Sequence, residues 1–175
     1  MQPTPASSTA RAGATDARES AAAAWVAHFA EGWSAPSGAR EFCAHFAPVL
    51  DPGARLIAPQ TPSTVGLEAF EREFAEPLFE LIPDVRARVE GWACSGQTIF
   101  IELTISGTLR RGRSVQWRAC DRIELRDGRA IERESYFDPS PLLAALARSP
   151  RAWPAFARLQ LRRVIRRPTT PKEEP

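Results

Sequence analysis

An α+β fold is predicted by three features of the chain. Apolar residues recur at helical spacing through roughly the first eighty positions, and after that they alternate. The alternating runs are separated by Ser95-Gly96, Arg111-Gly112 and Asp127-Gly128, dipeptides of the kind that close hairpins. Helices gathered ahead of an antiparallel meander pack together on one of its faces. The expected architecture is a cone-shaped, curved antiparallel sheet covered by three N-terminal helices. It has a pocket at its wide end and a C-terminal helical tail.

Each element follows from its residues. Residues 1–16 are rich in Ala, Ser, Thr and Pro and are expected to be disordered. A helix is expected over Ala17–Trp33, because Trp25, Val26, Phe29 and Trp33 share one face, and Pro36-Ser37-Gly38 ends it. A short second helix over Ala39–Phe46 buries Phe42 and Phe46. The stretch "DPGARLIAPQTPSTVG" reads as a turn, a short strand near Arg55–Ala58 and a loop whose prolines exclude a central strand. A third helix over Leu67–Leu81 carries Phe70, Phe74 and Leu78 on one side and stops at Pro83-Asp84. Strands are expected over Val85–Ala93, Thr98–Leu109, Ser114–Arg126 and Arg129–Phe137. The domain is therefore placed at residues 17–147, with a short helix over Leu142–Ala147 at its end, and a basic amphipathic extension follows over residues 148–175. In that extension Trp153, Phe156, Leu161, Val164 and Ile165 oppose Arg158, Arg162, Arg163, Arg166 and Arg167. A terminal helix packing on this domain or on a dimer mate is favoured over contact with an anionic membrane surface or an acidic partner.

Composition narrows the function classes. The 175 residues carry a net charge of +2, with eight basic and two acidic residues from Arg148 onward. The body that remains is mildly acidic and a poor surface for a nucleic-acid backbone. Cys43, Cys94 and Cys120 have neither zinc-site spacing nor a disulfide framework, and are expected as reduced thiols in a cytoplasmic protein. The N-terminal stretch lacks the apolar core of a signal peptide. His28 and His45, the two histidines, read as half-exposed helix residues. No metal is expected, because no His/carboxylate cluster stands out in the sequence. No Gly-rich phosphate loop opens a helix, so no nucleotide cofactor is expected.

The stretch "WRACDRIEL" poses the functional question. Its alternation puts Trp117, Ala119, Asp121, Ile123 and Leu125 on one face. That is a buried strand face with a carboxylate at its centre, and an unpaired buried carboxylate is costly.

Several blocks resemble the nuclear transport factor 2-like superfamily: "FAEGW", "VGLEAFEREF", "PDVRARVEGW" and "IELTISGTLRRGRSVQWRACDRIELRDGRAIERESYFDP". The resemblance covers about Ala22 to Leu146 and is strongest to the SnoaL-like branch. That branch contains polyketide cyclases, ketosteroid isomerases and limonene-epoxide hydrolases. It implies a helix-covered cone, usually a homodimer packed through its sheets. It places Asp121 at the isomerase aspartic acid that donates a hydrogen bond to the developing oxyanion. The isomerase's oxyanion tyrosine falls at Phe29, and its general base falls near Ala58-Pro59, where there is no carboxylate. The epoxide hydrolase's Arg, Asp and Asp fall at Glu102, Thr104 and Ser135, so its water-activating triad is absent.

By the same resemblance the pocket is lined by Phe100, Glu102 and Thr104, by Trp117 and Asp121, and by Arg133 and Ser135. Phe29, Trp33, Phe70, Phe74 and Trp92 complete its walls. Two carboxylates in one apolar pocket resist ionising together and so supply an acid and a base. Asp121 is thus the expected main acid/base or oxyanion donor, assisted by Glu102. The structural alternatives are Glu102 paired with Arg133 or Arg118, and Asp121 capping a backbone group. The functional expectation is cofactor-free cyclisation, isomerisation or dehydration of a hydrophobic carbonyl compound by a homodimer. A non-catalytic ligand-binding or dimerisation module is the alternative. An epoxide hydrolase of altered mechanism is a minor one.

Overall fold

The computed structural model describes residues 6–59, 63–110, 112–150, 153–154 and 156–157, with side chains from Glu19 onward. Helix α1 spans Ala6–Ser34, so it begins well before the expected Ala17. The added turns are alanine-rich, which suits a helix. Helix α2, Ala39–Phe46, is as expected and buries Phe42, Cys43 and Phe46.

Strand β1 runs over Leu50–Ile57 and β2 over Thr64–Val65. The long helical stretch that follows is divided into α3 (Leu67–Phe70), a π-helical segment (Glu71–Ala75) and α4 (Glu76–Leu81). Pro77 explains the division. It has no N–H to offer the carbonyl four residues back, and its ring crowds that carbonyl, so the helix widens by one residue just before it.

The meander follows as β3 (Arg86–Ser95), β4 (Thr98–Thr108), β5 (Ser114–Arg126) and β6 (Arg129–Phe137). Asp127 and Gly128 both have positive φ, 50° and 77°, which closes the β5–β6 hairpin with a turn matched to strand twist. Helix α5 spans Ser140–Ala147.

The sheet differs from the expected cone. Its six strands run β2-β1-β6-β5-β4-β3. β1 lies parallel to β6, and the other neighbours are antiparallel. The sheet is therefore mixed, and its edges β2 and β3 do not pair, so it is not curled or closed into a cone. The sequence reading placed a short strand near Arg55–Ala58 but neither its start at Leu50 nor its parallel pairing, because Pro52-Gly53 falls inside β1. These two residues sit where the β1–β6 register shifts, between Leu50 and Arg55, and the ladder resumes beyond them.

The helices and the sheet enclose one core. Trp25, Val26, Phe29 and Trp33 from α1, with Phe42 and Phe46 from α2, meet Ile99, Ile101, Leu103 and Ile105 of β4. α1 packs on β3 and α5 on β5. Among the described residues no helix is long and apolar enough to cross a membrane. Most of the basic extension, including Leu161 to Arg167, lies outside the described residues, as do residues 1–5.

Candidate active site

Strand registry decides which side chains can share a site, because residues directly opposite in an antiparallel ladder face the same side. Asp121 is opposite Ile101 on β4 and Ser135 on β6, and Ala119 is opposite Phe137. The helix-facing side therefore carries Trp117, Ala119 and Asp121 beside Arg133, Ser135 and Phe137. These residues floor a cavity of about 110 Å3. Glu73, Phe74, Leu78 and Leu81 come from the π segment and α4, and Trp33 from α1. Leu142 and Leu143 of α5, with Phe156 beyond it, line a further side.

Asp121 is wholly buried. Its Oδ2 accepts from Arg133 Nε at 2.8 Å and Nη2 at 2.7 Å. Among the described residues its Oδ1 has no hydrogen-bond partner. The guanidinium of Arg133 lies 5.8 Å from the ring centre of Phe29, 5.7 Å from Trp33 and 5.8 Å from Phe74, so three aromatic rings surround the cation. The indole N–H groups of Trp33 and Trp117 are also buried without a partner among the described residues. Native interiors rarely leave such groups unpaired. Here one acceptor and two donors belong to residues around a single, mostly apolar cavity.

The sequence-derived residues divide by geometry. Trp33, Phe74, Trp117, Asp121, Arg133 and Ser135 line the cavity. Phe29 and Phe70 stand behind Arg133, in a smaller space next to it. Trp92 is opposite Ile101 but is 38% exposed and away from the cavity. Glu102, Phe100 and Thr104 are on the other side of the sheet. Glu102 is opposite Cys120 and forms an ion pair with Arg118, and Phe100 is 41% exposed. Glu102 and Asp121 thus do not face each other. The apolar face of β4 turns toward the core, as its composition alone would have indicated.

The carboxylate that does join Asp121 at the cavity is Glu73, in the π segment next to Phe74, which the sequence reading did not single out. It also pairs with Arg72 at 3.0 Å.

The two histidines are together as well. Their rings stack with centroids 4.0 Å apart and 12° between planes. With Glu31 they form a His/carboxylate cluster, which the sequence reading did not anticipate. Residues 17 apart on separate helices leave no spacing signal. The three cysteines are unpaired. Burial first, then Glu71 and Glu76, pushes the Cys43 thiol up to about 12, which makes it a poor nucleophile.

The start of α5 depends on Asp138, whose Oδ1 accepts from Ser140 Oγ at 2.6 Å and Ser140 N at 2.9 Å. These bonds, the side-chain one first, hold the Asp138 carboxyl below its usual range. A lowered folded-state pKa means the contribution is present above the ordinary aspartate value. It is lost as pH falls through the lower folded value. Asp138→Ala should therefore speed amide exchange at Leu142 and Leu143 at neutral pH. Unchanged exchange there would remove Asp138 from the control of this wall.

Residues 26–133 match the model of the SnoaL-like domain family. No functionally curated protein matches the chain. Among solved structures, a SnoaL-like protein of Jannaschia sp. CCS1, provisionally described as a polyketide cyclase, aligns with a TM-score of 0.62 at 22% identity, over 72% of this chain and 91% of that one. A protein of Catenulispora acidiphila with a ketosteroid isomerase-like fold, solved with trimethylamine, aligns at 0.60 with 13% identity, over 69% and 90%. An epoxide hydrolase of M. tuberculosis resembling the limonene enzyme aligns at 0.58 with 16% identity, over 77% and 95%. At these identities the likeness is one of fold.

Proposed function

The chain belongs to the SnoaL-like domain family, and from that premise we propose that it is a small-molecule enzyme using Asp121 for cofactor-free proton transfer on an uncharged, hydrophobic carbonyl compound. One observation carries this reading. Asp121 has one oxygen held by Arg133 and the other unpartnered beside an apolar cavity. Oδ2 is engaged as an acceptor, which leaves Oδ1 as the position that takes a proton. A ligand carbonyl that accepts from the Trp33 or Trp117 indole would gain electron density as a neighbouring C–H proton passes to Oδ1. The same indole N–H stabilises the enolate that forms, and Arg133 keeps a positive charge close by. Return of the proton from Oδ1 to a different atom completes an isomerisation. Attack of the enolate carbon on a second carbonyl, with the proton delivered to the new alkoxide, completes a cyclisation. The Asp121–Arg133 pair is neutral overall, which favours an uncharged ligand.

The comparison with epoxide hydrolases gives little support for that chemistry. Of the three positions matching their triad, Glu102 and Thr104 lie on the far side of the sheet. A binding module without turnover is the second reading, because any acceptor-bearing ligand would satisfy the two indoles. The homodimer implied by the resemblance would use the outer face of the sheet, where Phe100 and Tyr136 are exposed.

The test uses simple aryl ketones and 1,3-diketones in deuterated water, with α-proton exchange followed by NMR. The wild-type chain should accelerate exchange for at least one of these probes. Asp121→Asn should lower the rate by about a hundredfold or more, with far-UV circular dichroism unchanged. Saturable binding without exchange selects the binding module, and equal exchange by Asp121→Asn rejects the assignment to Asp121.

A further inference from the structure

We propose that His28, Glu31 and His45 form a binding site for a divalent ion of the zinc class, at the seam of α1 and α2 beside Phe46. The chain has two histidines, and they meet ring to ring across two helices. Each is tied to the other's backbone: His28 Nε2 lies 3.0 Å from the carbonyl of His45, and His45 Nε2 lies 2.9 Å from the carbonyl of His28. A carbonyl only accepts, so each Nε2 carries the hydrogen. In the neutral rings each Nδ1 then carries the lone pair. Metal-ligating histidines are commonly oriented by this kind of N–H bond to a carbonyl.

Glu31 is one turn beyond His28 on α1, within reach of a shared ion. A ligand atom from each of the three residues lies within 4.8 Å of the others. The arrangement also depends on the backbone beneath it. A Cβ on Gly32 would stand 2.5 Å from His45 Cδ2 and 2.9 Å from its Nε2, so the imidazole fills the space where another residue would carry a side chain. Ring packing alone would be served as well by two phenylalanines. The nitrogen pattern is what distinguishes this pair.

Two imidazoles and one carboxylate suit zinc, cobalt or nickel, with water completing the coordination. Each Nδ1 lone pair lies in the plane of its own ring, and the two planes are stacked and nearly parallel. An ion held by both therefore turns one ring out of the stack. Turning either ring gives up its Nε2–H bond to the other residue's carbonyl, and the metal–Nδ1 bonds offset that loss. The bound ion then acts as a staple between α1 and α2, and binding to the folded chain alone raises its stability.

The test titrates zinc chloride into the full chain, stripped with chelator and kept reduced, by calorimetry at neutral pH. Thermal unfolding is followed in parallel. The expected result is one ion per chain with micromolar affinity and a raised unfolding temperature. His45→Gln and His28→Gln, which keep an amide N–H for the carbonyl, should each weaken binding by about tenfold or more. Glu31→Gln should weaken it less. Cobalt should give a spectrum without thiolate charge-transfer bands, and Cys94→Ser and Cys120→Ser should bind as wild type. Binding that survives in His28→Gln and Glu31→Gln, that disappears with the cysteines, or that needs millimolar zinc would overturn the proposal. Should His45→Gln fail to fold by circular dichroism, those two α1 variants decide it.

Discussion

Arg133→Ala lowers the stability of the folded chain by about 3–5 kcal/mol, the usual cost of stripping one partner from an enclosed ion pair. The effect comes mainly from the group left behind. Asp121 is wholly buried, and among the described residues its only hydrogen bonds are the two from Arg133 to Oδ2. Without the guanidinium both carboxylate oxygens sit unpartnered among Trp33, Phe74 and Ile101. The three rings around the cation also lose the group they enclose. Lysine does not repair the site, because a single ammonium has neither the fork nor the flat faces. Two comparisons separate this cause from a general loss of packing. Arg118→Ala, at the exposed pair with Glu102, costs about 0–1 kcal/mol. The double replacement Arg133→Met with Asp121→Leu recovers most of the loss, since it removes both charges and keeps the volume. Urea unfolding measures all three. An Arg133→Ala loss no larger than that of Arg118→Ala would mean that water reaches the pair.

Part of the cavity lining was legible in the sequence, and where the reading failed the causes are physical. The alternation around Asp121 gave the strand face correctly, because period-two patterning and turn dipeptides act locally. Trp117, Asp121, Arg133 and Ser135 reach one cavity because the β5–β6 ladder shifts register between Glu124 and Leu125, which sets Asp121 opposite Ser135, where an unbroken ladder from the Asp127-Gly128 turn would set it opposite Glu134. Glu102 failed because a family likeness was set against the pattern of β4. Ile99, Ile101, Leu103 and Ile105 already marked the inner face, and Glu102 lies between them. Glu73 was hidden by a helix that loses its α period over Glu71–Ala75, ahead of Pro77. The parallel placement of β1 beside β6 was hidden because it joins residues some eighty positions apart. A single sequence gives no signal for such a pairing. The histidine pair belongs to the same class, as contacts between helices depend on how closely the helices approach.

That approach makes Gly32→Ala the sharpest test of the helical layer. In an open helix the change would stabilise by about 0.8–1 kcal/mol through propensity. Here the new Cβ would stand 2.5 Å from His45 Cδ2 and 2.7 Å from Phe46 Cζ, and neither ring can yield without loss. Turning His45 breaks its bond to the carbonyl of His28 and the imidazole stack. Displacing Phe46 disturbs its contacts with Phe42 at 4.9 Å and Phe29 at 5.8 Å. Overpacking should therefore outweigh propensity and leave the variant about 1–3 kcal/mol less stable. Gly38→Ala is the control, since its Cβ would meet nothing within 4 Å. A rise in unfolding temperature for Gly32→Ala would show that α1 and α2 stand further apart. The effect extends beyond stability, because Phe42 lies 4.7 Å from Trp33, and Trp33 carries one of the two unpartnered indoles at the cavity. A shift of α2 thus moves a donor proposed to hold the ligand carbonyl, so Gly32→Ala should also weaken binding of any ketone that the wild-type chain turns over.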